Sequence, residues 1–216
     1  MALIDNGRKF IFIHVRKTGG TSIRNCLLNQ KKFNAGKFKN DESHGVSLAH
    51  HTSKQIEQKY PTEWEKYFTF AFVRNPWDRL VSRYFWSKDS QKVLLPKECS
   101  TFKKFIERVY NNQTIYISKY NNRNTGLYKG VGELVPQYDI LYGSNKDLKL
   151  DYVGKYENIQ EDFDIICDRL NIDKKILPHD NKTKHTPYWE YYDEDTKLMV
   201  AEKYKIDINN FGYEFK

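Results

Sequence analysis

The chain has 216 residues, room for one medium α/β domain with a substantial core and cramped for two. Hydrophobic residues make up 39% and aromatics 15%, which excludes a disordered polyelectrolyte. The formal net charge of +8 suggests an anionic partner such as nucleic acid, a phosphorylated cofactor or an acidic polysaccharide. Lys31, Lys32, Lys37, Lys39, Lys174 and Lys175 are scattered, however, in the manner of a solubilising surface.

The three cysteines, Cys26, Cys99 and Cys167, are far apart and odd in number. They form neither a disulfide framework nor a zinc-ligand spacing, so no metal site is expected. The first apolar run is only a few residues long before His14, too short for a signal peptide core or a membrane span. A cytoplasmic protein with no membrane span is the expectation.

Residues 9–15 (KFIFIHV) are β-rich and lead into the turn KTGGTS. Next comes a helical pattern, SIRNCLLNQ, with Ile23, Cys26 and Leu27 on one face. The two glycines, Gly19 and Gly20, let successive N–H groups turn into one concavity, and the following helix adds its positive end. Lys17 supplies a cation, and Thr21 and Ser22 supply hydroxyl donors. The segment from Lys17 through Thr18 to Ser22 is therefore a cradle for a phosphate or sulfate. It is not a Walker A loop, because the lysine precedes the glycines instead of following them.

Residues 29–45 have little periodicity, and residues 52–67 read as a helix interrupted at Pro61. A second strand, residues 67–73 (YFTFAFV), runs into RNPWDR, with Pro76 stopping the strand and Asp78 placed to cap a helix (DRLVSRYFW). Arg74 sits at the strand end and Ser82 eight residues on; a helix folding back along the sheet could bring both to one phosphate. Arg79 and Arg83 are four apart, the spacing of a salt-bridged helix face, and Arg83 reads as part of one. Trp77 and Trp86 read as core.

Residues 101–110 form a further helix, followed by an Asn/Gly-rich stretch, 111–132, that is either an acceptor-binding lid or a variable surface loop. Residues 152–156 (YVGKY) are a third short strand, with helices expected over 159–170 and 193–204. Strand, polar turn and helix thus recur, which predicts an α/β fold with a central parallel sheet flanked by helices. Ligands would bind at the carboxyl ends of its strands. No linker interrupts the pattern, so residues 1–216 are expected to be a single domain.

Two anion-binding turns at strand ends imply a ligand with two separated anionic groups. KFIFIHVRKTGGTSI resembles the 5′-phosphosulfate loop, and FTFAFVRNPWDRLVSRY the 3′-phosphate motif, of sulfotransferases that use PAPS (3′-phosphoadenosine 5′-phosphosulfate). The likeness is greatest to the carbohydrate-type branch that includes heparan-sulfate 2-O-sulfotransferase and bacterial enzymes. AHHTSKQI, VGKYENIQEDF, LPHDNKTKHTPYWEYYDEDT and the terminal FGYEF also match, in order. The resemblance implies a P-loop-NTPase-like sulfotransferase fold and transfer of a sulfuryl group from PAPS to a hydroxyl acceptor, with PAP as product. The acceptor class it implies is carbohydrate, with no nucleic-acid partner.

By that resemblance Lys17 contacts the sulfuryl group and bridging oxygen, Thr18, Gly19, Gly20, Thr21 and Ser22 hold the 5′-phosphate end, and Arg74 and Ser82 hold the 3′-phosphate. His50 aligns with the catalytic base, with His51 as its neighbour and competitor, and Lys182 is a further phosphate contact. Arg16 departs from the family, which usually has proline before the lysine. Two other functions stay open at this point: a P-loop-like kinase or NTPase, disfavoured because Val73 runs into Arg74 without a Mg²⁺-binding carboxylate, and a non-catalytic module for anionic ligands.

Overall fold

The computed structural model of the protein describes residues 2–28, 46–48, 51–89, 93–113, 117–118, 134–142, 149–178 and 185–216. In chain order the first elements are β1 (Ala2–Asp5), β2 (Phe10–Ile13), α1 (Gly20–Leu27), β3 (Val46–Leu48), α2 (Ser53–Lys59), α3 (Pro61–Lys66), β4 (Phe68–Val73) and α4 (Pro76–Asp89). There follow β5 (Val93–Leu94), α5 (Phe102–Tyr110), β6 (Ile117–Ser118), α6 (Gln137–Tyr142), β7 (Tyr152–Lys155), α7 (Ile159–Leu170), α8 (Glu194–Lys203) and α9 (Lys205–Phe211). Contacts divide the chain into two compact units, Met1–Arg74 with Gln137–Asn181, and Asn75–Pro136 with Lys182–Lys216.

The first unit is built on a five-stranded sheet of order β3-β1-β2-β4-β7. β2, β4 and β7 are parallel, with Phe10 opposite Phe68 and Val73 opposite Lys155. β1 runs antiparallel to both β2 and β3, so an antiparallel edge extends the expected parallel sheet. The β1–β2 reversal is held by Asp5, whose carboxylate accepts from the Arg8 N–H at 2.8 Å and pairs with its guanidinium. At the start of β7, Asp151 accepts from both the N–H and the hydroxyl of Thr69, at 2.7 and 2.9 Å, which pins β7 beside β4.

Side chains alternate across a strand. Phe10, Phe12, Phe70 and Phe72 therefore share one face, where they pack with Ile23 and Leu27 of α1 and Phe163, Ile166 and Cys167 of α7. The intervening Ile11, Ile13, Ala71 and Val73 are buried too, as expected of parallel strands covered on both faces. Removing one such ring, as in Phe12→Ala, costs about 3–5 kcal/mol. Asp162 in the first turn of α7 accepts from the Lys155 N–H and from the Tyr152 hydroxyl at 2.8 Å, locking helix to strand. Burial, together with that bond to Asp162, pushes the Tyr152 phenol up to about 12.

The second unit is a helical cluster. Trp77, Leu80, Val81 and Tyr84 of α4 meet Phe102, Phe105, Ile106 and Val109 of α5 and Val200 of α8. Tyr204 donates to the Leu134 carbonyl at 2.6 Å, and its burial raises its pKa. α4 begins earlier than Asp78: Pro76 occupies its first turn, and the Asn75 carboxamide oxygen accepts from the Trp77 N–H at 3.1 Å. Asn75 therefore caps where Asp78 was expected to, with Pro just inside the start as helices prefer. The other carboxamide atom of Asn75 donates to the Glu214 carbonyl at 2.9 Å, and Phe215 meets the Trp77 ring edge-on. The terminal FGYEF segment is thus fastened to the RNPW turn.

Arg79 and Arg83 do not lie on a solvated helix face. Both are buried; Arg79 donates to the Val135 carbonyl at 3.2 Å, and Arg83 lies over the Trp86 ring.

Candidate active site

Parallel pairing sends the carboxyl ends of β2, β4 and β7 to one edge of the sheet. Their continuations, the His14–Gly20 turn, Arg74 and Tyr156, consequently lie along that edge. The first of these has an unusual backbone. Lys17 holds φ at 68° and Gly19 at 75°, whereas Thr18 between them and Gly20 after them are not in the positive range. A backbone that alternates positive with negative φ is the pattern of a nest, in which consecutive N–H groups face one concavity. The sequence supplied glycine for one of the two left-handed positions only. Lys17 adopts the other at a cost of about 1–2 kcal/mol, the penalty for an L-residue in that region.

Three contacts hold the nest in shape. Thr18 is fully buried and donates its hydroxyl to the Val15 carbonyl at 2.9 Å, so its side chain closes the turn. Gly19 abuts Ile159 and the Tyr156 ring, and Gly20 abuts the His14 ring; a Cβ on either glycine would collide with those neighbours. His14, just past the end of β2, is itself stacked on Phe12 with ring centroids 5.8 Å apart. The absence of side chains at 19 and 20 is therefore a packing requirement as well as a conformational one.

α1 then starts at Gly20 with Gly19 as its cap and no side-chain hydrogen bond to its first turn. The N–H groups of a first turn have no partner within the helix, and they carry the positive end of its dipole. Ser22 is buried in this turn and Thr21 half-buried. Lys17 and Arg16 are also half-buried, so the turn carries two cations without immersing either completely.

Arg74 follows the last paired residue of β4 and leans back onto the first turn. Its guanidinium donates to the Lys17 carbonyl at 3.2 Å and stacks on the Tyr156 ring, 4.0 Å from the centroid. Since Tyr156 also touches Gly19, one aromatic ring braces both strand-end turns. The main chain of Arg74 is clamped as well. Its N–H donates to the Gln137 carboxamide oxygen at 3.0 Å, and its carbonyl accepts from the Gln137 amide nitrogen at 2.8 Å.

The structure thus brings together Lys17, Thr18, Gly19, Gly20, Thr21, Ser22 and Arg74 in the first unit. Ser82 is buried on α4 in the second unit. His50 and Lys182 lie outside the described residues. His51 is described and half-buried, just before Thr52, which caps α2 with a reciprocal capping box through Gln55. Sequence reasoning overlooked Tyr156 and Gln137. Tyr156 could have been found, because it stands at the end of the third parallel strand, as Arg74 does at the end of the second. Gln137 carries no local signal.

A strand, an alternating-φ turn with a lysine, a helix N-terminus and an arginine from the adjacent strand make up the candidate anion site. The sequence matches the Sulfotransferase family across residues 1–214. The chain belongs to the sulfotransferase family. An uncharacterized protein of Archaeoglobus fulgidus is similar to it, 25% identical over 114 residues that span 52% of this chain and 75% of that protein. Family membership and the mixed α/β sheet agree with the fold expected from the motifs. Among the described residues no helix is long and apolar enough to cross a membrane.

Proposed function

We propose that this sulfotransferase takes its sulfuryl group from PAPS and delivers it to a hydroxyl of a carbohydrate acceptor, releasing PAP. The observation that carries the proposal is the alternating-φ nest over Lys17–Gly20, opening onto the start of α1 and tied to Arg74. Its lysine and the positive end of α1 suit the 5′-phosphosulfate end of the donor. The collision awaiting any Cβ at Gly19 or Gly20 explains why the main chain alone lines that part of the cradle. In this proposal Arg74 and Ser82 serve the 3′-phosphate, as the family motif implies, and Lys182 adds a phosphate contact.

In the transfer, the acceptor oxygen forms a bond to sulfur as the bond from sulfur to the bridging phosphate oxygen breaks. His50 takes the acceptor proton, a task suited to a neutral imidazole. Lys17 and the main-chain N–H groups of the nest stabilise the charge that gathers on the leaving phosphate oxygen. The rest of the rate enhancement comes from positioning. A basic chain, net +8, favours an acidic sugar among possible acceptors. We place the reaction in the cytoplasm, with residues 1–216 acting as one sulfotransferase domain.

The test is transfer of labelled sulfate from PAPS to a panel of acidic and neutral saccharides, phenols and tyrosine peptides. Label on a saccharide, dependent on Lys17, supports the proposal. Label on phenols or peptides alone would keep the donor and discard the acceptor class.

A further inference from the structure

Gln137 is the first residue of α6, directly after Pro136, and it is completely buried. A buried carboxamide must satisfy its own donors and acceptor, and this one bonds both main-chain groups of Arg74. β4 stops pairing with β7 at Val73, opposite Lys155. Arg74 lies beyond that last pair and is itself buried. Pro76, two residues on, cannot continue a ladder. The Gln137 side chain takes the place of a neighbouring strand here, presenting an acceptor to the Arg74 N–H and a donor to its carbonyl.

We propose that Gln137 is a positioning residue for the donor nucleotide, acting through Arg74; this rests on the PAPS proposal above. With the main chain of Arg74 fixed by the carboxamide, its guanidinium is delivered to the Lys17 carbonyl and the Tyr156 ring, where it braces the anion nest. Without the clamp, the buried N–H and carbonyl of Arg74 must seek other partners, and the guanidinium moves with them. Gln137 itself touches no ligand in this scheme.

The experiment is a double-mutant cycle read by calorimetric titration with PAP. Gln137→Met keeps the length and apolar volume of the side chain and removes both hydrogen bonds. It is expected to weaken PAP binding by about tenfold or more in the wild-type background, and by less than about twofold when Arg74→Ala is already present, because residues acting through one another are not additive. Gln137→Glu keeps the acceptor but lacks the carboxamide donor, and is expected to fall on the same side as Gln137→Met. It also serves should the methionine variant fail to fold. Equal losses in both backgrounds would show that Gln137 acts independently of Arg74 and overturn the inference while leaving PAPS use intact. Absence of PAP binding by the wild-type protein would overturn both.

Discussion

Lys17 offers a test of the nest that separates backbone from charge. Its φ of 68° costs any L-residue about 1–2 kcal/mol, whereas glycine adopts it freely. Lys17→Ala and Lys17→Gly both delete the ammonium, so both should lose donor affinity. They differ only in the main chain. Alanine keeps the strain; glycine releases it, but gives back about 0.4–1 kcal/mol through its freer unfolded state. The glycine variant should therefore be the more stable of the two, by about 0.5–1 kcal/mol. At an ordinary helical or extended position the order is reversed by about 0.5–1 kcal/mol. For a chain of this size 1 kcal/mol is worth about 2–4 °C in Tm, so urea and thermal melts followed by circular dichroism resolve the two cases. An alanine variant as stable as the glycine variant, or more so, would refute the left-handed assignment at Lys17 and with it the nest.

Gly20→Ala should destabilise the protein by about 1–3 kcal/mol through overpacking against the His14 ring, and the penalty should shrink in a His14→Ala background; denaturant titration of the four proteins shows whether it does. His50→Ala should abolish sulfuryl transfer while leaving PAP affinity unchanged, and normal turnover would remove His50 from the mechanism. Burial pushes the Cys167 thiol up to about 11 and raises Cys99 as well. Since the thiolate is the reactive form, both should be alkylated far more slowly at about pH 8 in the folded protein than in urea. Mass spectrometry of iodoacetamide-treated samples would reveal equal rates if the burial were wrong.

The parallel strands were legible because FIFI and FTFAFV are short, almost wholly apolar and followed by polar turns. Their observed bounds, Phe10–Ile13 and Phe68–Val73, fall inside the expected ones, since His14 and Tyr67 flank the ladder without joining it. The helix over Ile159–Leu170 matches its expected range, its start being marked by Glu161 and Asp162. β1 was missed: ALID is only four residues, and its place in the sheet depends on the Asp5–Arg8 reversal and on pairing with the distant β3. The burial of Arg79 and Arg83 was not legible, because spacing along a helix says which residues share a face, not whether that face is wet. The nest was legible in its glycines and lysine. Its bracing by Tyr156 and Gln137 was not, because both reach Arg74 from remote points in the chain, and only the fold makes them neighbours.

Calorimetric titration with PAP tests the proposed donor most directly. PAPS use predicts a single site with Kd well below about 1 mM, weakened sharply by Lys17→Ala and by Arg74→Ala. No binding by the folded wild-type protein at that concentration would contradict it.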